Sequence, residues 1–202
     1  MIKLKRVQGG NMESNGYILY DQTNGEGFII DPGYNPDKYL KMLSELEVKL
    51  LGILLTHHHY DHVGAVAKIR STTGCKVYLH WGDADQYKNP VDVMLSDGEI
   101  LKFGEELLKT LHTPGHTKGS VCFLSEKNKM AFTGDTIFNV DLGRTDLVDG
   151  SQKEMQESIR ARINLWENDM TIYPGHGDPA TMKYVRKNNR EFMDIIDNDV
   201  NK

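Results

Sequence analysis

The 202-residue sequence is poor in cysteine, in proline and in long apolar runs. Its two cysteines, Cys75 and Cys122, stand 47 positions apart, which leaves no CxxC pair and no disulfide framework. They read as reduced thiols in a reducing compartment. The longest apolar stretch, around residues 50–55, is far too short to span a bilayer. The opening MIKLKRVQGG carries positive charge with no apolar segment behind it, so it does not read as a signal peptide, and a cytoplasmic location is expected. Basic blocks are also missing. With 24 Lys and Arg against 29 Asp and Glu, the formal charge of -5 repels a phosphate backbone and argues against a nucleic-acid partner.

Hydrophobic residues at 39% and charged residues at 26% suit a globular chain long enough to bury a core without disulfides or a structural metal. Any metal would therefore serve chemistry. No repeat, low-complexity tract or linker divides the sequence, so residues 1–202 read as one domain. Strand candidates at 2–7, 17–20 and 28–30 are separated by turn signals at Gly9-Gly10-Asn11 and Gly25-Glu26-Gly27. Asn35-Pro36 opens a helix with Tyr39, Leu40, Leu43 and Leu46 at helical spacing, and the run 50–55 suits a strand covered on both faces. Residues 63–69 read as helical, and further strands are predicted at 76–79, 99–103, 106–111, 120–124, 130–133 and 170–173. Ser151 and Glu154 form a capping box before a helix face of Met155, Ile159, Ile163 and Trp166. From Thr181 onward, Met182, Val185, Phe192 and Ile196 share one stripe and predict a single terminal helix. Two strand-rich halves with accompanying helices point to an α+β class, with two sheets packed face to face and helices outside.

Three of the eight histidines stand consecutively in Thr56-His57-His58-His59-Tyr60-Asp61-His62. His57 and His59 lie two apart just past a predicted strand, so extended backbone aims both to the same side. Asp61 and His62 fall where the chain turns into the next helix and can aim at a neighbouring point. Imidazole and carboxylate suit zinc, iron or manganese, and no cysteine is near to make a thiolate site. Three more segments place a metal-competent side chain just after a strand: His112-Thr113-Pro114-Gly115-His116, Thr133-Gly134-Asp135 and Tyr173-Pro174-Gly175-His176-Gly177. Strand-end loops are where rigid scaffolds display reactive groups.

His57-x-His59-x-Asp61-His62, followed in order by His116, Asp135 and His176, resembles the metallo-β-lactamase-fold hydrolases over nearly the whole chain. Asn15 and Tyr17, with the Asp31-Pro32-Gly33 turn, resemble the family's opening hairpins. Gly134-Asp135-Thr136-Ile137-Phe138 leading to Gly143-Arg144-Thr145-Asp146 is similar to the glyoxalase II (hydroxyacylglutathione hydrolase) and persulfide dioxygenase branches. The resemblance implies an αββα sandwich of two mixed sheets. It also implies two divalent ions, zinc by preference with iron or manganese compatible. His57, His59 and His116 would hold one ion, Asp61, His62 and His176 the other, and Asp135 would bridge them. Two such ions, two aspartates and a bridging hydroxide leave one surplus positive charge, enough to polarise a carbonyl oxygen. The implied reaction is attack of that hydroxide on a small-molecule thioester or related acyl substrate, with Asp61, or water near the second ion, helping to handle the proton.

The same resemblance admits an oxidoreductase, a persulfide dioxygenase with one iron held by His57, His116 and Asp135. Lactone hydrolysis is a further outcome of the same chemistry. A nuclease would need a basic cleft, and a flavodiiron-type protein a Glu at the His59 position; the sequence has neither. Arg144 reads equally as a clamp for a substrate carboxylate or as a loop brace paired with Asp141 or Asp146. Glutathione is less well supported than the thioester, because glyoxalase II enzymes commonly carry an added helical region and this sequence stops after one terminal helix. His58 is expected outside the ligand set, His80 is structural, His112 hydrogen-bonds a loop, and Cys122 is a small buried hydrophobe. Asp31 is placed to orient a ligand histidine. The sequence leaves the oligomeric state open.

Overall fold

A computed structural model describes residues 1–200, with side chains to Asp197. The N-terminal half forms a six-stranded sheet in chain order: β1 (Ile2–Gly9), β2 (Ser14–Asp21), β3 (Glu26–Ile30), β4 (Lys49–Leu54), β5 (Lys76–His80) and β6 (Val93–Leu95). The first three strands are antiparallel, and β3 to β6 run parallel. The second sheet holds β7 (Ile100–Phe103), β8 (Glu106–His112), β9 (Val121–Ser125), β10 (Met130–Gly134), β11 (Thr171–Pro174) and β12 (Ala180–Thr181), with only β10 and β11 parallel. Both sheets are therefore mixed.

Side-chain alternation explains the layering. On β2, Tyr17 and Leu19 enter the core between the sheets, where they join Phe28, Ile30, Leu54, Phe103, Phe123 and Phe132. Ile18 and Tyr20, one residue out of phase, join Ile29, Ile53 and Val77 beneath α1 (Pro36–Glu45) and α3 (Val66–Thr73). The far face of the second sheet carries Leu111, Cys122, Ala131 and Ile172 under α4 (Gln152–Ala161), α5 (Met182–Asn188) and α6 (Arg190–Val200). Each sheet thus has helices on one face and its partner sheet on the other, a four-layer αββα arrangement in the α+β class. No helix among the described residues is long and apolar enough to cross a membrane.

Three expected helices are interrupted. The stretch at 63–69 divides into α2 (Tyr60–Val63) and α3 around Gly64, where an added Cβ would lie 2.4 Å from the Gly33 carbonyl oxygen. Ser151 Oγ accepts from the Glu154 N–H as an N-cap, but α4 ends at Ala161, and Ile163–Leu165 is a separate 3-10 turn. The single terminal helix is two helices, because Asn189 has extended backbone and its side chain is occupied elsewhere. Asn189 Nδ2 donates to the Phe138 and Asp141 carbonyls at 3.2 and 2.8 Å, and its Oδ1 accepts from the Phe192 N–H at 2.9 Å. The sequence also gave no signal for β6 and β12, which are three and two residues long.

Asn189 thereby ties the C-terminal helices to the loop that follows β10. Asn189→Ala removes three buried or part-buried hydrogen bonds and should destabilise the protein by about 2 kcal/mol, measured as a lower midpoint in chemical denaturation at an unchanged slope.

Candidate functional site

Loops at the C-terminal ends of β3, β4, β8, β10 and β11 converge at one edge of the sandwich. The segment after β4 stays extended through His59, whose φ of -62° and ψ of 144° precede α2. The His57 and His59 rings lie with centroids 4.8 Å apart, and the His58 ring, also 4.8 Å from His59, turns its Nδ1 to Asp83. Asp61 and His62 lie in α2 and are buried. His116, Asp135 and His176 arrive from the second sheet.

The structure brings seven donor side chains into two adjoining groups. One ring nitrogen from each of His57, His59 and His116 lies within 4.8 Å of the others, and donors of Asp61, His62 and His176 meet the same limit. Asp135 sits between the groups. Its carboxylate oxygens are 3.4 Å from His62 Nε2, 3.5 Å from His176 Nε2 and 3.6 Å from His116 Nε2. Asp61 Oδ2 lies 3.1 Å from His176 Nε2 and 3.4 Å from His62 Nε2.

The opposite edges of four of the rings are committed to the protein. Thr56 Oγ1 donates to Asp31 Oδ2 at 2.6 Å, so the His57 Nδ1–H donates to that hydroxyl and Nε2 keeps its lone pair. His62 Nδ1 faces Asp31 Oδ2 at 3.3 Å. His116 Nδ1 donates to the Arg144 carbonyl at 2.8 Å and His176 Nδ1 to the Met12 carbonyl at 3.0 Å. His59 is reversed: its Nδ1 turns inward, 2.9 Å from His116 Nε2. Two inward atoms, His57 Nε2 and Asp135 Oδ1, are buried with no hydrogen-bond partner. Unpaired buried polar atoms are costly, and a cation would satisfy both.

The two groups differ electrostatically. Burial, reinforced by neighbouring imidazoles, holds His57 well below its ordinary pKa and lowers His59 to about 4. Both are neutral donors. Burial also disfavours the charged forms of His62 and His176, but nearby carboxylates outweigh it, raising His62 well above its ordinary value and His176 to about 9. Asp61 and Asp135 are lowered against burial by the adjacent imidazoles, and both stay ionised.

The loop bearing His176 is held by the opening strands. Asn15 Nδ2 donates to the Pro174 and Gly177 carbonyls at 3.1 and 2.8 Å, and the Tyr17 hydroxyl donates to the Pro174 carbonyl at 2.7 Å. A Cβ at Gly175 would fall 2.2 Å from Asp135 Oδ1 and 2.5 Å from a His62 ring carbon, so only glycine lets this loop approach.

The remaining sequence-read residues lie near this edge or behind it. Arg144 borders the mouth, but its Nε and Nη2 each donate to an Asp146 oxygen at 2.8 Å, so the pairing present is the brace with Asp146. His112 Nε2 meets the Lys118 carbonyl at 3.0 Å, and His80 stacks on His112 at 4.1 Å. Cys122 is fully buried, which pushes its thiol up to about 12.

Asp83 is the residue that sequence reading missed. It lies in a short 3-10 turn after β5 and is fully buried. It accepts from the His58 N–H and Nδ1–H at 3.0 Å, the Thr117 hydroxyl at 2.9 Å and the Gly119 N–H at 2.6 Å. One carboxylate thus joins the His57–His59 segment to the His116 loop. Its only sequence signal was an acid in a polar stretch, which reads as solvated surface.

Burial would raise the Asp83 pKa, but the donors from His58, Thr117 and Gly119 outweigh it and hold it below its ordinary value. A depressed folded pKa stabilises above the unfolded value near ~3.9, and that stability is lost as pH falls through the folded value. Asp83→Asn should cost about 2–3 kcal/mol at neutral pH, and its deficit against wild type should shrink below about pH 4. Denaturation midpoints across pH check both expectations.

Comparison with known proteins identifies the family. A family model described as "Metallo-beta-lactamase superfamily" matches residues 9–176. Hydroxyacylglutathione hydrolase GloC from Haemophilus influenzae is 32% identical over 198 residues, covering 88% of this chain and 92% of the relative. The crystal structure of BLEG-1 B3 metallo-beta-lactamase aligns with a TM-score of 0.86 at 30% identity, over 94% of this chain and 99% of its own. The di-iron-bound form of TTHA1623 aligns at 0.82 and 32% identity, over 92% and 98%. Fold, strand-end donor loops and matched sequence agree: the chain belongs to the metallo-β-lactamase superfamily of metal-dependent hydrolases.

Proposed function

We propose that this chain is a two-metal hydrolase that cleaves a thioester or related acyl compound in the cytoplasm. The reading takes residues 1–202 as one domain acting on a small molecule, without a nucleic-acid or membrane partner. It assigns His57, His59 and His116 to one divalent ion, Asp61, His62 and His176 to a second, and Asp135 to both, with zinc the metal best suited to nitrogen and carboxylate donors. The observation that carries it is the pair of adjoining donor groups, with His57 Nε2 and Asp135 Oδ1 buried there without a hydrogen bond.

When bound, such ions polarise an acyl carbonyl and lower the pKa of water to roughly 7. The chain's own residues do the rest. His57 and His59, kept neutral by burial, offer lone pairs at neutral pH. Asp31, Thr56 and the Arg144 and Met12 carbonyls hold the rings against rotation. Asp61 Oδ2, set beside His176 Nε2, is the carboxylate that accepts the proton released as a water oxygen bonds to the acyl carbon. The carbon–sulfur bond then breaks, and the thiol leaves with that proton. Arg144 lines the mouth; gripping a substrate carboxylate would require it to release Asp146.

His59→Ala and Asp135→Ala should each lower thioester hydrolysis at least as far as the ~100-fold that losing a partner of a metal ligand can cost. Metal content should fall from two ions per chain. Unchanged turnover and metal content in either variant defeats the assignment. Purified protein carrying one iron per chain and consuming oxygen with glutathione persulfide would replace hydrolysis with the dioxygenase reaction.

A further inference from the structure

The cavity that opens onto His116, Asp135 and His176 has a volume of about 430 Å³, and one of its walls is apolar. Met12, Phe138 and Val140 form that wall. Met12 is 54% and Val140 46% exposed. Phe138 is half-buried and sets its ring edge-to-face with His176, with centroids 6.0 Å apart. Exposed large side chains are ordinary when scattered, but three lining one cavity beside the reactive groups are a recognition surface.

The wall is also fixed in place before any ligand arrives. The Met12 carbonyl accepts from His176 Nδ1. On the other side, the Thr133 hydroxyl holds the Ile137 carbonyl, Asn189 holds the Phe138 and Asp141 carbonyls, and Glu191 accepts from the Leu142 N–H. A preformed apolar face pays little ordering entropy on binding.

Charge around the mouth argues for the same kind of ligand. Asp135 and Asp141 line it, and the guanidinium of Arg144 is already paired with Asp146. A second carboxylate on the acyl group, lying along the wall away from the donor groups, would meet Asp141, and the nearest guanidinium is already paired with Asp146. We infer that Met12, Phe138 and Val140 form an acyl-chain subsite, so that the preferred acyl group is apolar and uncharged rather than short, hydroxylated or anionic. This inference rests on the thioester reading above for the identity of the bond cleaved.

The test uses the metal-loaded protein and N-acetylcysteamine thioesters, which share one neutral thiol and differ only in the acyl group: acetyl, lactoyl, butanoyl, hexanoyl and succinyl. From acetyl to hexanoyl, kcat/KM should rise by about tenfold or more, mainly through KM, as expected for burying several methylenes. The succinyl ester should fall below the butanoyl ester. Val140→Asp and Met12→Glu should bring the hexanoyl-to-acetyl ratio close to one. Calorimetry with the uncleavable thioethers S-hexyl- and S-methyl-N-acetylcysteamine provides a readout without turnover, and the hexyl compound should bind about tenfold tighter or more. Chain-length-dependent thioether binding without ester cleavage would sink the thioester reading and leave the subsite standing. Ester cleavage that ignores chain length, or a gradient that survives both substitutions, overturns the subsite and spares the thioester reading. If neither binding nor cleavage responds, both fall.

Discussion

Two buried carboxylates, Asp31 and Asp83, hold the segment between β4 and α2 in place from behind. Asp31 accepts from the Thr56 N–H and hydroxyl and faces His62, and Asp83 accepts from His58, Thr117 and Gly119. Without such contacts, imidazoles crowded to ring separations of 4.3–4.8 Å would rotate apart or seek water. With them, the outward edges of the His57 and His62 rings are held, through Thr56 and directly, and rotation of either ring would break those contacts. The arrangement follows the general rule that ligand orientation is set one shell out from the reacting centre.

The sandwich makes this convergence feasible. Both halves of the chain end strands at one edge, so the first sheet supplies His57, His59, Asp61 and His62 while the second supplies His116, Asp135 and His176. Contacts across the sheets keep the halves in register. Tyr17, buried in the core between the sheets, reaches the Pro174 carbonyl through its hydroxyl, and Asn15 secures the rest of that turn. The opening hairpin is thus a direct support of His176, although it contributes no donor to the two groups.

How legible each feature was in the sequence depended on the range of the interaction behind it. Strand-then-turn punctuation marked the four segments that carry metal-competent side chains, because spacing of two on an extended segment and a position at a strand end are local properties, whereas the set of seven came from the family resemblance. The layering was visible for a similar reason, since alternation and helical spacing are written along the chain. Asp83 was not visible, because its importance comes from donors at Thr117 and Gly119 more than thirty residues away. The break at Asn189 was hidden in the same way. The stripe of Met182, Val185, Phe192 and Ile196 reads as continuous, and only the Phe138 and Asp141 carbonyls, nearly fifty residues distant, draw the side chain out of a helix. The β6 and β12 strands are too short for a periodic signal, and they form because an existing sheet edge offers them partners.

The asymmetry between the donor groups has a consequence for substrate handling on the proposed reading. His57, His59 and His116 supply nitrogen only, whereas Asp61 brings a carboxylate to His62 and His176. A cation among neutral imidazoles keeps more of its positive charge than one beside Asp61, with Asp135 shared between them. With ions held by both groups, polarisation of a carbonyl oxygen would be strongest on the side of His116, and Asp61, the proposed proton acceptor, lies on the other. The apolar wall of Met12, Phe138 and Val140 opens onto both, since the cavity it lines includes His116 and His176. An acyl group lying along that wall would be within reach of both groups.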